Sequence, residues 1–489
     1  MDLRTAYHLV MLLDPEICYR AMKAHDPRFD GCFFIAVSST RIYCRPVCRV
    51  KAPKPENCAF YSSAAAAESK GYRPCLRCRP ELAPGNASVD ASHRLAQSAA
   101  SLIEDGLLTE IGMEGLANRL HVTGRHLRRV LQLEFGVSPI ALAQTQRLLL
   151  AKRLLTDTGL PITEIAFASG FNSLRRFNAL FKQRYRLSPA AIRRSPGKAP
   201  AAATLNFELC YRPPYDWQAL TDFLGARTIS GVEEVAASSS YRRIVRVHNY
   251  TGWIEVKPNT RKNVMRVTAS LSLAKAIPSL LARVKHLFDL SCDPQQISEG
   301  LGDLARQHPG LRVPGAFDGF EIAVRAILGQ QVSVAAARTL AGRFATAFGA
   351  PIESPFAALT TAFPRAEDIA ALDVADIVTL GILRSRAMTI LALAHSISQG
   401  ELNLAPATDV TATVDKLQTL PGIGPWTAEY IAMRALAWPD AFPHTDLGLM
   451  KALGERNPKR VLARAEGWRP WRSYAVMHLW TGGSDGAIR

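Results

Sequence analysis

Four cysteines, Cys44, Cys48, Cys75 and Cys78, constrain this chain more tightly than any other feature. They stand as a C-x-x-x-C pair and a C-x-x-C pair. Two close pairs of thiolates are what one tetrahedral Zn²⁺ requires, so both segments are expected to meet at a single ion. The surrounding stretches IYCRPVCR and GYRPCLRCRP are crowded with arginine. A phosphate-facing site is therefore expected, with Arg45, Arg49, Arg73, Arg77 and Arg79 close to the ligands.

The charge of the whole chain points the same way. Of the net +17, residues 1–200 carry +13 and residues 201–489 only +4, and all seven tryptophans lie beyond residue 210. These shifts mark separate domains, and a basic first half suits a polyanionic partner. A hydrophobic fraction of 48% supports sizeable cores, while no stretch approaches the ~20 apolar residues of a membrane span. The short run AYHLVMLL is followed at once by Asp14 and Glu16, so no signal peptide is expected. With four of nine cysteines in a metal-like cluster, a reducing, cytoplasmic setting is expected.

Ala83-Pro84-Gly85-Asn86 and the run from Ser195 to Ala203 read as linkers. Between them the pattern is helical, with an internal repeat in which Phe135-Gly136-Val137-Ser138-Pro139 returns as Tyr185-Arg186-Leu187-Ser188-Pro189. A helix-turn-helix pattern precedes each copy. In the second, Phe177 and Phe181 form an i, i+4 core face, while Leu174, Arg175 and Arg176 point outward. Residues 205–272 alternate apolar and polar positions, as a small antiparallel sheet does. From about residue 274 the spacing is helical again. The expected fold is multidomain α+β. It comprises a zinc module (1–82), a linker (83–91), an all-α double helix-turn-helix domain (92–194) and a second linker (195–204). An antiparallel β domain (205–273) and an α-helical domain (274–489) follow.

DPRFDGCFFIAVSSTRIYCRPVCR and FYSSAAAAESKGYRPCLRCRP together resemble the N-terminal domain of the Ada family of adaptive-response methyltransferases, over roughly residues 15–82. The resemblance implies that Cys44 takes a methyl group irreversibly from a DNA methylphosphotriester, with Cys48, Cys75 and Cys78 completing the zinc shell. A metal-held thiolate stays deprotonated at neutral pH, which suits attack on the methyl carbon. Zn²⁺ with four thiolates carries about −2 and, with one thioether, about −1. At roughly 8 Å from a phosphate and an effective dielectric of about 20, that unit is worth about 2 kcal/mol, or roughly thirtyfold in affinity. Cys18, Cys32 and Cys58 fall outside the motif, and Cys32 reads as a small core residue.

Ala166, Gly170, Phe171, Ser173, Phe177, Phe181 and Lys182 carry a signature that resembles the AraC-type DNA-binding domain, with Arg186 where that family usually has Gly. Recognition helices are implied near Thr123–Leu133 and Ser173–Arg184. Arg125, Arg128, Arg175 and Arg176 are the candidate DNA contacts, together with Arg45 of the zinc module.

LQTLPGIGPWTAEYIAMRAL, followed by Asp446 in FPHTDLGLMKAL, resembles the helix-hairpin-helix DNA glycosylase superfamily. Gly422 and Gly424 leave backbone N–H groups open to a phosphate. With RPPYDWQALTDFLGAR and WRPWRSYAVMHLW, the likeness narrows to AlkA-type 3-methyladenine glycosylases over about 207–484. It implies that Asp446 is the catalytic carboxylate, the alternative being a helix N-cap ahead of LGLMKAL. Trp426, Tyr430, Trp480 and Phe223 are implied to line an electron-rich base pocket, whereas Trp468 and Trp471 read as packing residues. Gln331 stands where relatives insert a side chain into the gap left by the flipped base. Strand-cutting relatives carry Lys where Trp426 stands, so a monofunctional enzyme is implied. No cysteine follows Cys292, so no iron–sulfur cluster is expected.

The expected partners are double-stranded alkylated DNA, promoter DNA and, by resemblance, RNA polymerase, with no membrane and a monomeric state. A regulator with an inactive glycosylase half is the alternative, and intact Cys44 and Asp446 argue against it.

Overall fold

The computed structural model describes residues 14–83, 91–193 and 204–482, apart from 105, 121, 238, 407 and 408. Residues 84–90 and 194–203, the bulk of both expected linkers, lie outside the described residues. The chain groups into two compact units. The first is Met1–Pro213 with Asn259–Ala282 and Leu290–Asp293. The second is Pro214–Pro258, Arg283–Asp289 and Pro294–Arg489.

The first unit opens with helix α1 (Pro15–Lys23), whose N-cap Asp14 accepts from the Glu16 and Ile17 amides ahead of a Pro at N1. Its Cys18, Ala21 and Met22, spaced three and four apart, share one face and pack with Phe33 and Ile35. Each such large apolar side chain contributes about 1.5–3 kcal/mol when fully buried. Strands β1 (Phe34–Val37), β2 (Ile42–Cys44) and β3 (Cys58–Tyr61), helix α2 (Ala64–Ser69) and strand β4 (Arg73–Pro74) complete the module. The sheet runs β3-β1-β2-β4. β1 is antiparallel to both neighbours, pairing Ile35 with Cys44 and with Phe60, whereas β2 and β4 are parallel, pairing Tyr43 with Pro74.

Among the described residues seven α-helices follow: α3 (Ala91–Glu104), α4 (Leu107–Arg119), α5 (Gly124–Phe135), α6 (Pro139–Asp157), α7 (Ile162–Ala168), α8 (Leu174–Tyr185) and α9 (Pro189–Ile192). Their ends show why the sequence repeats. Thr123 and Ser173 cap α5 and α8, while Ser138 and Ser188, each followed by Pro, cap α6 and α9. Gly136 closes α5 in the left-handed region at φ 72°, and Arg186 closes α8 in that region at φ 57°. Phe177, Phe181 and Tyr185 are buried and stack edge-on at 5.4 and 4.9 Å. Within the first unit β5 (Thr204–Cys210) pairs antiparallel with Val264–Ser270 and sets Phe207 opposite Val267.

The second unit contains helix α10 (Trp217–Gly225) and an antiparallel meander of β6 (Glu233–Ala236), β7 (Ser240–Val247) and β8 (Tyr250–Asn259). Its helical part includes α11 (Gly319–Leu328), α12 (Val334–Phe348), α13 (Arg384–Ser398), α14 (Val410–Thr419), α15 (Pro425–Arg434), α16 (Leu447–Ala452) and α17 (Arg472–Gly482). Buried ion pairs, Arg243 with Glu321 at 2.5 Å and Arg325 with Glu233 at 2.6 Å, tie α11 to the meander. Among the described residues, no helix is long and apolar enough to cross a membrane.

Candidate metal centre and base pocket

Strand pairing brings the two cysteine pairs together. Cys44 ends β2, the Cys48 amide folds back onto the Arg45 carbonyl at 3.1 Å, and the Cys75 amide donates to the Tyr43 carbonyl at 2.9 Å. The four Sγ atoms lie within 4.8 Å of one another, a spacing compatible with thiolates held about 2.3 Å from one shared ion. Without a cation the cluster cannot hold four negative charges. Donation of its S–H to the neighbouring sulfurs and burial push the Cys44 thiol up, while hydrogen bonds from Cys44, Cys48 and Cys78 pull Cys75 down. The donor set and its geometry therefore fit Zn²⁺.

The four sulfurs are not equivalent. Arg45 N–H donates to Cys78 Sγ and Arg77 N–H to Cys75 Sγ, both at 3.4 Å. Among the described residues no backbone amide donates to Cys44 or Cys48. A small cavity walled by Met22, Ile35, Val37 and Val50 opens onto Cys44 and Cys48 and not onto the other pair. An N–H donor withdraws electron density from a thiolate, so Cys44 and Cys48 keep the greater nucleophilicity.

Arg45 departs from the expectation of a phosphate contact. Only 5% exposed, it sits on Asp30, with Nε donating at 2.7 Å, and its Nη1 donates to the Cys78 carbonyl at 3.1 Å. With its donors committed inside, it braces the metal loop. Arg79 is similarly engaged, by Glu81 at 3.1 Å and Asp157 at 2.7 Å, whereas Arg49 and Arg77 are exposed. In the helical module, Arg125 and Arg128 on α5 and Arg175 and Arg176 on α8 are all exposed. Cys32 is partly buried against the α1 core.

In the second unit, the hairpin between α14 and α15 needs its first glycine. Gly422 has φ 83°, and a Cβ there would stand 2.1 Å from Thr389 Oγ1. Gly424 is different: a Cβ would meet nothing within 4 Å, and it starts α15 without a side-chain cap. Open space and free amides at a helix N-terminus suit an incoming phosphate. Gln331 is exposed at φ 53°. Its neighbour Gln330 donates to the Gly422 carbonyl at 2.8 Å and to Thr427 Oγ1 at 3.0 Å, which clips that loop to the hairpin.

Trp426 and Tyr430 on α15, Trp480 on α17, Phe223 on α10 and Asp446 ahead of α16 converge. Phe223 and Trp480 stack at 6.1 Å with 14° between planes, and Trp426 and Tyr430 at 5.4 Å and 15°. Trp426 Nε1 donates to Asp446 Oδ2 at 2.9 Å and Trp480 Nε1 to Oδ1 at 3.0 Å. Asp446 is also the N-cap of α16, accepting from the Leu449 amide at 2.9 Å. The N-cap reading of this residue holds, and the same carboxylate also accepts from two indoles of the aromatic cluster. Trp471 is 4% exposed and packs in the core.

Two arginines of this aromatic cluster escaped the sequence reading. Arg227 lies 3.8 Å over the Phe223 ring. Arg434 lies 5.1 Å over Phe223 and donates to the Tyr430 hydroxyl at 2.8 Å. Burial brings the Arg227 guanidinium down to about 10. Burial opposes ionisation of the Tyr430 phenol, yet Arg434, Arg227 and Arg325 pull it below its ordinary value. Each missed arginine stands four residues after an aromatic of the cluster, Arg434 on the helix of Tyr430 and Arg227 in the turn that follows α10.

Four family models match in order: the metal binding domain of Ada (17–81), a helix-turn-helix domain (116–195), the AlkA N-terminal domain (206–318) and the HhH-GPD superfamily of base excision DNA repair proteins (324–468). The probable bifunctional transcriptional activator/DNA repair enzyme AlkA of Mycobacterium tuberculosis is 40% identical over 96% of this chain and 96% of its own length. The chain belongs to this family of bifunctional activator and DNA repair proteins. DNA-3-methyladenine glycosylase 2 of Escherichia coli is 38% identical, covering 56% of this chain and 96% of that protein. The bifunctional transcriptional activator/DNA repair enzyme Ada of Escherichia coli is 38% identical, over 28% of this chain and 36% of that protein.

Proposed function

We propose that this protein removes methyl groups from DNA methylphosphotriesters onto Cys44, activates promoters once methylated, and releases alkylated bases such as 3-methyladenine through Asp446. The reading of the first module rests on Cys44 and Cys48 being the two sulfurs without a backbone donor and facing the open cavity. The family pattern selects Cys44 between them. Zinc held by Cys44, Cys48, Cys75 and Cys78 would keep the nucleophile as a thiolate at neutral pH. Cys44 Sγ attacks the methyl carbon, a C–S bond forms, and the C–O bond breaks. Its electron pair stays on oxygen, leaving an ordinary phosphodiester anion. Arg49 and Arg77, exposed beside the ligands, supply the phosphate contacts, and Arg125, Arg128, Arg175 and Arg176 the promoter contacts.

The glycosylase reading rests on one observation: Asp446 accepts from Trp426 and Trp480, whose rings cluster with Tyr430 and Phe223. An alkylated purine is cationic, so its C1′–N bond breaks with the electron pair going to the base, which leaves neutral. The sugar becomes electron-poor, and the Asp446 carboxylate stabilises it until water adds to C1′ and gives up a proton. Trp426 offers no amine for a Schiff base, so an intact abasic strand is the product. Gly422, Gly424 and Gln331 meet the DNA at the lesion. No iron–sulfur cluster is called for. RNA polymerase is the partner of the activator role, and the protein acts as a cytoplasmic monomer.

Base release from duplex DNA containing 3-methyladenine tests this. Wild type should liberate the base, and Asp446→Asn should lose at least ~10²-fold in rate while still binding the DNA. Full release by the variant would defeat the assignment.

A further inference from the structure

Trp426 and Trp480 sit on different helices, α15 and α17, yet both direct the indole N–H at one side chain. Trp426 reaches Asp446 Oδ2 at 2.9 Å, Trp480 reaches Oδ1 at 3.0 Å, and the Leu449 amide also reaches Oδ1, at 2.9 Å. An ionised carboxylate has about four acceptor sites. Three are filled here by neutral donors, and the one left is on Oδ2. No lysine or arginine hydrogen-bonds Asp446 among the described residues, and Arg227 acts on it only through space, so the carboxylate is oriented by neutral donors.

From this we infer that Trp426 and Trp480 are positioning residues for Asp446, not only walls of the base pocket. The inference rests on the catalytic reading of Asp446 above. Two converging N–H groups fix the tilt and rotation of the carboxylate and leave one lone pair for the electron-poor sugar or its attacking water. A cationic partner would have fixed the group equally well, at the cost of the charge that stabilises the transition state. Because the same two rings face the base, a base that displaces either ring also turns the carboxylate. Recognition and bond breaking are thus joined in one pair of side chains, which narrows productive turnover to bases that seat flat.

Trp426→Phe and Trp480→Phe keep a flat ring and delete the N–H. Single-turnover release of 3-methyladenine should slow about tenfold in each, the worth of one hydrogen bond to a charged group. Affinity for the same duplex should stay within about threefold. The deciding arm repeats each substitution in Asp446→Asn. Acting through the carboxylate, the Trp→Phe change should alter the residual rate there by less than about twofold. An equal loss in both backgrounds, or a loss wholly in affinity, would leave the tryptophans as walls and overturn the inference. If Asp446→Asn alone keeps the full rate, the catalytic reading of Asp446 fails instead. Should a Phe variant unfold early in a thermal melt, benzothienylalanine at the same position removes the N–H and preserves the shape, and the same criteria apply.

Discussion

Replacing Glu68 by Gln should abolish a pH dependence of stability that the wild-type first unit carries. Glu68 lies on α2 and is only 3% exposed. Its Oε1 accepts from the Tyr43 hydroxyl at 2.9 Å and the Tyr185 hydroxyl at 3.3 Å, and its Oε2 from Thr145 Oγ1 at 3.0 Å. Arg184 also faces it, through the Glu68 backbone carbonyl at 3.3 Å. Burial pushes the carboxyl up from 4.5 to about 7, and the three hydroxyls and Arg184 offset only part of that. Between those two values the folded chain keeps a proton that the unfolded chain has lost. Stability therefore falls as pH rises from about 4.5 to 7, and is flat on either side. At 1.36 kcal/mol per unit the loss amounts to about 3 kcal/mol. Glutamine fits the same site, its carbonyl accepting from both tyrosines and its amide donating to Thr145. Hydrogen exchange of the α2 and α8 peptides at pH 5 and pH 8, corrected for intrinsic rates, reads the difference. Wild type should lose protection at pH 8 by roughly a hundredfold, and Glu68→Gln by little. Parallel losses in the two proteins would refute the reasoning.

Two further outcomes follow from the first unit. Arg186→Gly should stabilise the helical module by about 0.5–1 kcal/mol in a thermal melt, since glycine carries no penalty at φ 57°. Arg45→Leu should cost about 3–5 kcal/mol by stranding the buried Asp30 carboxylate. A variant as stable as wild type but weak in DNA binding would restore Arg45 to the phosphate-contact role.

Local signals were legible in the sequence because they act over a few residues. The Cys44–Cys48 pair, the Cys75–Cys78 pair, the repeated Ser-Pro steps at Ser138 and Ser188, and the Phe177–Phe181 face each lie within a single helix or turn. The hairpin glycines were legible too, though only the structure separates Gly422, demanded by Thr389, from Gly424, which leaves space. What escaped depends on chain segments that meet in three dimensions. Arg45 looked like a phosphate ligand because its run is basic, and its partner Asp30 lies fifteen residues upstream. Glu68 stands in the stretch AAAAES with nothing local to single it out, since two of its partners, Thr145 and Tyr185, are 77 and 117 residues away. The tryptophans were read for their rings, and the direction of an indole N–H is not written in a motif.

The account turns on Cys44 as the consumed nucleophile. Zinc-loaded protein incubated with DNA carrying methylphosphotriesters, then digested and analysed by mass spectrometry, tests this directly. One methyl group on the peptide carrying Cys44, and none on Cys48, Cys75 or Cys78, is the predicted result. A methyl group on any of those three, or no transfer at all, would contradict it.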